Sequence, residues 1–337
     1  MIMKVLVTGA TGYLAGHCIN ELLTHGYSVR GTVRNVKTAD VAHLRAIADR
    51  IGGDLEFVQA DLSADAGWHE AVAGCDYVWH TASPFPSTTP RDEDEVIRPA
   101  VDGTLRVLRA ADASGTVRRV VMTSSGLAVY GGPGENRVFT EDDWTDVRTA
   151  APYAKSKTLA ERAAWDYVKT SDLELVAINA GSIMGPVLRA EAGNSVEIVR
   201  RLMAGALPAV PKLGWGIVDV RDLARLHRLA METPAAAGQR YIAGEKFMWA
   251  REMAFVLAER YRSRGYRIPT AAMPYPMMWL ISRFDPSVRL VLHFWGRQER
   301  VSAAKAWQEL GWVSRPPSES VLDTAASMID VGLVPQR

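Results

Sequence analysis

Residues Lys4 to Gly16 read Lys-Val-Leu-Val-Thr-Gly-Ala-Thr-Gly-Tyr-Leu-Ala-Gly, and few folds accommodate that run. Val5, Leu6 and Val7 make the short apolar stretch of a strand buried on both faces. The stretch breaks at Gly9 and Gly12, and a helical apolar spacing follows through Ile19, Leu22 and Leu23 as far as Gly26. Strand, glycine turn and helix in this order turn a weak glycine motif into a dinucleotide-binding expectation. Gly9 permits the tight turn, and Gly12 lets backbone N–H groups approach a pyrophosphate at the helix N-terminus. The third glycine position of such fingerprints holds Ala15, which is small enough for the close helix–strand contact. The plain alternative is a structural βα turn.

The second expected strand, Tyr27 to Val33, ends in Arg34, with Lys37 close behind. An acidic residue here would accept from the adenosine ribose and favour NAD, whereas a basic one pairs with the 2′-phosphate of NADP. No Asp or Glu occurs between Glu21 and Asp40, so the expected cofactor is NADP (NADPH). Alternation along the strand points Arg30 elsewhere. A second pair stands far along the chain, Tyr153 and Lys157, four residues apart and hence on one face of a helix. A phenol normally titrates near ~10, and a cation beside it stabilises the phenolate and brings it toward neutral pH. The bland reading is a half-buried Tyr beside a solvated Lys. The glycine turn at the other end of the chain outweighs it.

Strands are expected at about 3–8, 28–33, 55–59, 76–81, 118–124 and 173–179, with helical patterns between them. This predicts an α/β protein with a Rossmann-type, doubly wound parallel sheet. Beyond Ala180 the rhythm fails, which suggests a smaller, mostly helical C-terminal substrate lobe. The expected division is 1–180 and 216–243 for nucleotide binding, the latter returning through a short strand, a helix from Val220 to Met231 and Tyr241-Ile242-Ala243, and 181–215 and 244–337 for the substrate lobe. The 337 residues are 48% apolar and 23% charged, with a net charge of +1. That balance offers nothing to nucleic acid or an anionic membrane. Cys18 and Cys75 both fall in or beside core elements, so a reduced, cytoplasmic protein is expected, a monomer or homodimer without a signal peptide. The stretch Ala271 to Leu280 is too short and proline-broken to span a bilayer. No histidine or cysteine cluster suggests a metal, and His80, ending a buried strand, reads as a packed residue.

The chain resembles the extended short-chain dehydrogenase/reductases, and within them the dihydroflavonol reductase and cinnamoyl-CoA reductase-like carbonyl reductases. The resembling pieces are Val7-Thr8-Gly9-Ala10-Thr11-Gly12-Tyr13-Leu14-Ala15, Val29-Arg30-Gly31-Thr32-Val33-Arg34, Ala60-Asp61-Leu62 and Gly74 to Pro84. They continue with Arg118 to Ser125, the Tyr153 to Glu161 helix, Gly185-Pro186, Val218 to Ala224 and Glu309-Leu310-Gly311-Trp312. The substrate-facing regions match least.

The resemblance implies roles position by position. Gly9, Thr11 and Gly12, with the backbone around Tyr13 and Leu14, would bind the pyrophosphate. Arg34 would bind the 2′-phosphate, with Lys37 as a second contact. Asp61 and Leu62 would meet the adenine, a turn or cap role being the alternative for Asp61. Thr81, Ala82 and Ser83 would line the ribose and nicotinamide side. Ala180 and Ser182 flank Gly181 where the family has Pro-Gly or Pro-Thr, a departure at the carboxamide contact. Ser125, or Ser124 in a shifted alignment, would hold a substrate carbonyl, Tyr153 would protonate it, and Lys157 would bind the ribose and lower the tyrosine pKa. Candidates to surround the substrate are Pro84, Phe85, Leu127, Tyr130, Met184, Trp215 and the segment Met277 to Trp279. Their apolar character favours a hydrophobic or aryl small-molecule carbonyl, reduced reversibly to its alcohol. The alternatives are an NAD-dependent nucleotide-sugar epimerase or dehydratase, a hydroxysteroid-type dehydrogenase, and a non-catalytic NADP-binding regulator.

Overall fold

The computed structural model describes residues 2–83, 92–132, 137–190, 193–285, 288–289 and 292–337. Pro84 and Phe85 lie outside the described residues.

Seven parallel strands form the central sheet: β1 (Lys4–Val7), β2 (Ser28–Val33), β3 (Leu55–Gln59), β4 (Tyr77–His80), β5 (Arg119–Ser125), β7 (Glu174–Ala180) and β10 (Arg240–Ala243). Their spatial order is β10-β7-β5-β4-β1-β2-β3, and all pairings are parallel. Between β1 and β4 the order reverses, and the crevice at their C-terminal ends is where such sheets bind ligands. The six expected strands are all present to within a residue or two, because strands covered on both faces read as short apolar runs. The sheet is wrapped by α1 (Tyr13–Thr24), α2 (Ala42–Ile51), α3 (Trp68–Val72), α4 (Asp94–Ala113), α5 (Leu127–Tyr130), α6 (Pro152–Val168) and α8 (Val220–Glu232). Local signals set their ends. Pro152 opens α6 with its φ already helical, Gly52 closes α2 in the left-handed conformation, and the Asp219 side chain caps α8 by accepting from the Arg221 N–H at 2.9 Å.

A second core gathers around β8 (Ser182–Met184), α7 (Glu197–Ala204), β9 (Gly214–Asp219), β11 (Lys246–Trp249), α9 (Ala250–Tyr261) and α12 (Pro317–Asp330). Here β9 pairs parallel with β8 and antiparallel with β11. The strand expected to lead back to the nucleotide-binding side therefore lies in this small sheet, and the return is made by α8 and β10. Helix α10 (Tyr275–Ser282) borders a third, smaller cluster, and β12 (Arg300–Val301) pairs with β6 (Val138–Phe139). Helix α11 (Ala304–Leu310) and Trp312 join the first core, Trp312 donating its indole N–H to Asp222 O at 2.7 Å. Part of 244–337 thus packs with the nucleotide-binding side, because its apolar face meets α8 and β10. Cys18 and Cys75 are both free and buried. Among the described residues, no helix is long and apolar enough to cross a membrane.

Candidate active site

The first wall of the site is the turn from β1 into α1. Gly9 has φ +68°; its N–H donates to Thr32 Oγ1 at 2.9 Å, and the Gly12 N–H donates to Gly9 O at 2.8 Å. A Cβ on Gly9 would lie 2.9 Å from Ala82 Cβ, and one on Gly12 would lie 3.1 Å from Gly9 O. Gly12 is the N-cap of α1 and no side chain caps the helix, so its leading N–H groups and positive dipole end are open to an anion. Thr11 sits half-buried at the turn and Leu14 packs inward. The Tyr13 side chain turns away and donates its hydroxyl to Gly185 O at 2.8 Å.

The second wall follows β4. Thr81 Oγ1 donates to Thr8 O at 2.6 Å and the Ala82 N–H donates to Thr8 Oγ1 at 3.0 Å, stitching the loop to β1. His80 is buried between Thr8 Oγ1 and Thr104 Oγ1, and burial lowers its imidazolium to about 3, so it is neutral. Ser83 Oγ accepts from Lys157 Nζ at 2.7 Å.

Arg34 and Lys37 are exposed beyond β2. Arg30 points elsewhere, as alternation requires: it pairs with Glu56 Oε1 at 2.7 Å and donates to the carbonyls of Glu70, Ala71 and Ala73. Asp61 Oδ1 accepts from both the N–H and the hydroxyl of Ser63, at 2.8 Å each, which is the turn geometry of an aspartate. Those bonds, with Arg34 nearby, hold its carboxyl below the usual range. Leu62 packs its side chain toward Gly103, and its carbonyl accepts from Arg106 Nη1 at 2.8 Å.

Ser125, Tyr153 and Lys157 meet where β5 ends against α6. The Ser125 hydroxyl and the Tyr153 phenol are neighbours, and Lys157 Nζ lies 5.7 Å from the centroid of the Tyr153 ring. Burial raises the phenol above its ordinary value while the Ser125 hydroxyl acts to draw it down. Burial also lowers the Lys157 ammonium to about 8, and the Glu161 carboxylate acts to raise it. The ammonium that the spacing places beside the phenol is engaged by Ser83 Oγ at 2.7 Å and stands over the ring. Ser124 points to the opposite face of β5 and donates its hydroxyl to Glu161 Oε2. Sequence spacing did not single out Glu161, although its place four residues after Lys157 puts it on the same helix face.

Ala180 is buried at the end of β7, with Ser182 half-buried two residues on. Gly181 between them approaches the Gly216 carbonyl so closely that a Cβ would stand 2.4 Å from its oxygen. Of the proposed substrate neighbours, Leu127 and Tyr130 lie on α5 beside Ser125, with the Tyr130 ring folded against Gly126. Trp215 is half-buried between the second and third cores, and Met277 and Trp279 are exposed on α10. Met184, expected beside the substrate, is instead fully buried in the second core because β8 directs it inward.

An uncapped helix N-terminus, a turn with no room for a Cβ, an exposed guanidinium after β2 and a buried ammonium together fit a phosphorylated dinucleotide. A doubly wound parallel sheet with Ser, Tyr and Lys gathered beside its switch point defines an extended short-chain dehydrogenase/reductase. The chain belongs to the NAD dependent epimerase/dehydratase family, whose profile matches residues 5–244. It is 37% identical over 267 residues to cinnamoyl-CoA reductase CAD2 of Medicago truncatula, spanning 77% of this chain and 81% of that protein. Tetraketide alpha-pyrone reductase 1 of Arabidopsis thaliana is 36% identical over 343 residues, 98% of this chain and 96% of the other. The crystal structure of yeast methylglyoxal/isovaleraldehyde reductase Gre2 complexed with NADPH superposes with a TM-score of 0.77 at 25% identity, covering 98% of this chain and 99% of that one.

Proposed function

We propose that this protein reduces an aldehyde or ketone, hydrophobic or aryl in character, to the alcohol, reversibly, with NADPH as the cofactor. The observation that carries the proposal is the gathering of Ser125, Tyr153 and the buried Lys157 at the carboxyl end of the sheet. NADPH, when bound, supplies the hydride; the chain supplies orientation and a proton. The N-terminus of α1 with Gly9, Thr11 and Gly12 holds the pyrophosphate, and Arg34, seconded by Lys37, holds the 2′-phosphate. Asp61 and Leu62 border the adenine, and Thr81, Ala82, Ser83, Ala180 and Ser182 border the ribose and nicotinamide. Lys157 binds the ribose hydroxyls. Ser125 hydrogen-bonds the substrate oxygen, and Tyr153 delivers the proton to it as negative charge develops there. Residues 181–215 with much of 244–337 serve as the substrate lobe, and Leu127, Tyr130 and Trp215 give the pocket its apolar lining. The three relatives named above are reductases, which supports this reading. The basic end of β2 disfavours the nucleotide-sugar alternative, whose expected ribose ligand is acidic.

The test is a screen of aryl and aliphatic aldehydes, ketones and a cinnamoyl thioester, following NADPH oxidation against an NADH control. Turnover of at least one carbonyl with NADPH is expected. Protein that carries tightly bound NAD and oxidises NADPH with none of these compounds would overturn the proposal.

A further inference from the structure

Behind the site, on the side away from solvent, lies a charged group that the reductase chemistry does not itself employ. Glu161 is fully buried, one helical turn beyond Lys157 and two beyond Tyr153 on α6. Its carboxylate accepts from four side chains: Ser124 Oγ on β5, Asn179 Nδ2 on β7 at 2.7 Å, Arg240 Nε on β10 at 2.7 Å and Trp165 Nε1 on its own helix at 3.3 Å. Three adjacent strands and the helix carrying Tyr153 are thus tied to one group. Asn179 Nδ2 also donates to Ser125 O at 3.3 Å, so the network reaches the backbone of the serine beside Tyr153. Arg240 is held in turn by the carbonyls of Glu141 and Asp143 and stacks 3.8 Å above the Trp144 ring.

Among the described residues, few groups that can carry charge face Lys157. Glu161 and Tyr153 do so from α6 itself, and His80 from β4, which burial keeps neutral. Arg240 neutralises the far side of Glu161 from β10, and His227 on α8 is bonded to Thr123 Oγ1 on β5 at 2.7 Å and is likewise neutral. A buried ion pair costs desolvation and is weak support for stability as such. Its retention directly beneath three reacting side chains calls for another reason.

We propose that Glu161 is a positioning residue of the reductase: it fixes the end of β5 against α6, so that Ser125 meets Tyr153, and it supplies the negative charge facing Lys157. This rests on the proposed reductase function. Removing the charge while keeping the shape then has two consequences. The β5–α6 register loosens, and the already depressed Lys157 loses its proton at lower pH.

The experiment compares Glu161→Gln with the unmodified enzyme, titrating NADPH binding by fluorescence between mildly acidic and alkaline pH and measuring kcat across the same range. The expected result is near-normal NADPH affinity at low pH, with the alkaline loss of binding moved down by about one pH unit, and kcat reduced about tenfold or more. A folded variant with an unmoved alkaline limb and kcat within about twofold of the unmodified enzyme overturns the proposal. Should the single variant fail to fold with Arg240 left unpaired, Glu161→Gln combined with Arg240→Gln removes both charges and is read the same way. Lys157→Met separates the two levels. If it changes neither NADPH affinity nor the pH profile, the reductase reading itself falls. If it changes both while the Glu161 variants change neither, only the positioning role is lost.

Discussion

Ser124 and Ser125 are neighbours in sequence with unrelated surroundings. Alternation along β5 sends the first into a buried carboxylate network and the second toward Tyr153. Ser125→Ala is therefore expected to lower kcat at least tenfold more than Ser124→Ala does, an estimate on the scale of one oxyanion-type hydrogen bond. The reverse order in steady-state assays would move the substrate contact to Ser124. Tyr153→Phe removes the phenol hydroxyl and with it the proton donor, so a loss on the order of 10²–10⁴ in kcat is expected with NADPH affinity nearly unchanged. A variant keeping more than about half the activity would exclude Tyr153 as the donor. In the proposed reading, cofactor choice rests on Arg34, which is exposed and close enough to Asp61 to influence its carboxyl. A guanidinium gripping a phosphate through two charge-assisted bonds at such a site is worth roughly 2–3 kcal/mol, or about 30–150-fold in favour of NADPH. Arg34→Ala should raise the KM for NADPH toward that for NADH, which should hardly move. Equal use of both cofactors by the unmodified enzyme would remove this role.

The turn from β1 into α1 shows how far an element can be read from its residues. Gly9 was marked by its place after an apolar strand, and the structure gives it φ +68° with Ala82 Cβ where its own Cβ would stand. Both features forbid a side chain. Gly9→Ala should cost more than about 1 kcal/mol in unfolding free energy and weaken NADPH binding together, measured by thermal melting and fluorescence titration. A variant of normal stability and affinity would show that the turn adapts. The strands of the main sheet were legible for the same local reason: each is a short apolar run bounded by turn residues. The small sheet was not. Only β9 was read as a short strand, and its sheet partners β8 and β11 hold three and four residues, too few to distinguish a sheet from a loop. Met184 looked like pocket lining because an isolated methionine beside a glycine carries no record of which way its strand faces. Glu161 escaped notice because a glutamate on a helix usually faces water. Only tertiary contact with Asn179 and Arg240 reveals that this one does not.

At the scale of the whole molecule, three histidines are locked in the neutral form in three separate places. His17 on α1 is bonded to Pro186 O, His80 at the end of β4 lies between two threonines, and His227 on α8 contacts Leu223 O and Thr123. Burial lowers their imidazolium groups to about 4, 3 and 4 respectively. An unfolded histidine titrates near ~6.5. Between that value and the native ones, the unfolded chain binds protons that the folded chain refuses, so stability falls as pH falls. The contribution is fully present above about pH 6.5 and is lost progressively down to about pH 4. One proton costs about 1.4 kcal/mol per pH unit, so at pH 5.5 the three together remove roughly 4 kcal/mol, a large part of a typical 5–15 kcal/mol. Glu141, whose carboxyl burial raises, works in the opposite direction and softens the slope. The Lys157 titration lies at higher pH and leaves this window alone. Denaturant melts at pH 7.5 and 5.5 should therefore differ by several kcal/mol, and His227→Gln should remove about a third of that difference, since it deletes one of three refused protons. Stability that stays level down to pH 5.5 would mean that at least one of these sites opens to accept its proton in the folded protein.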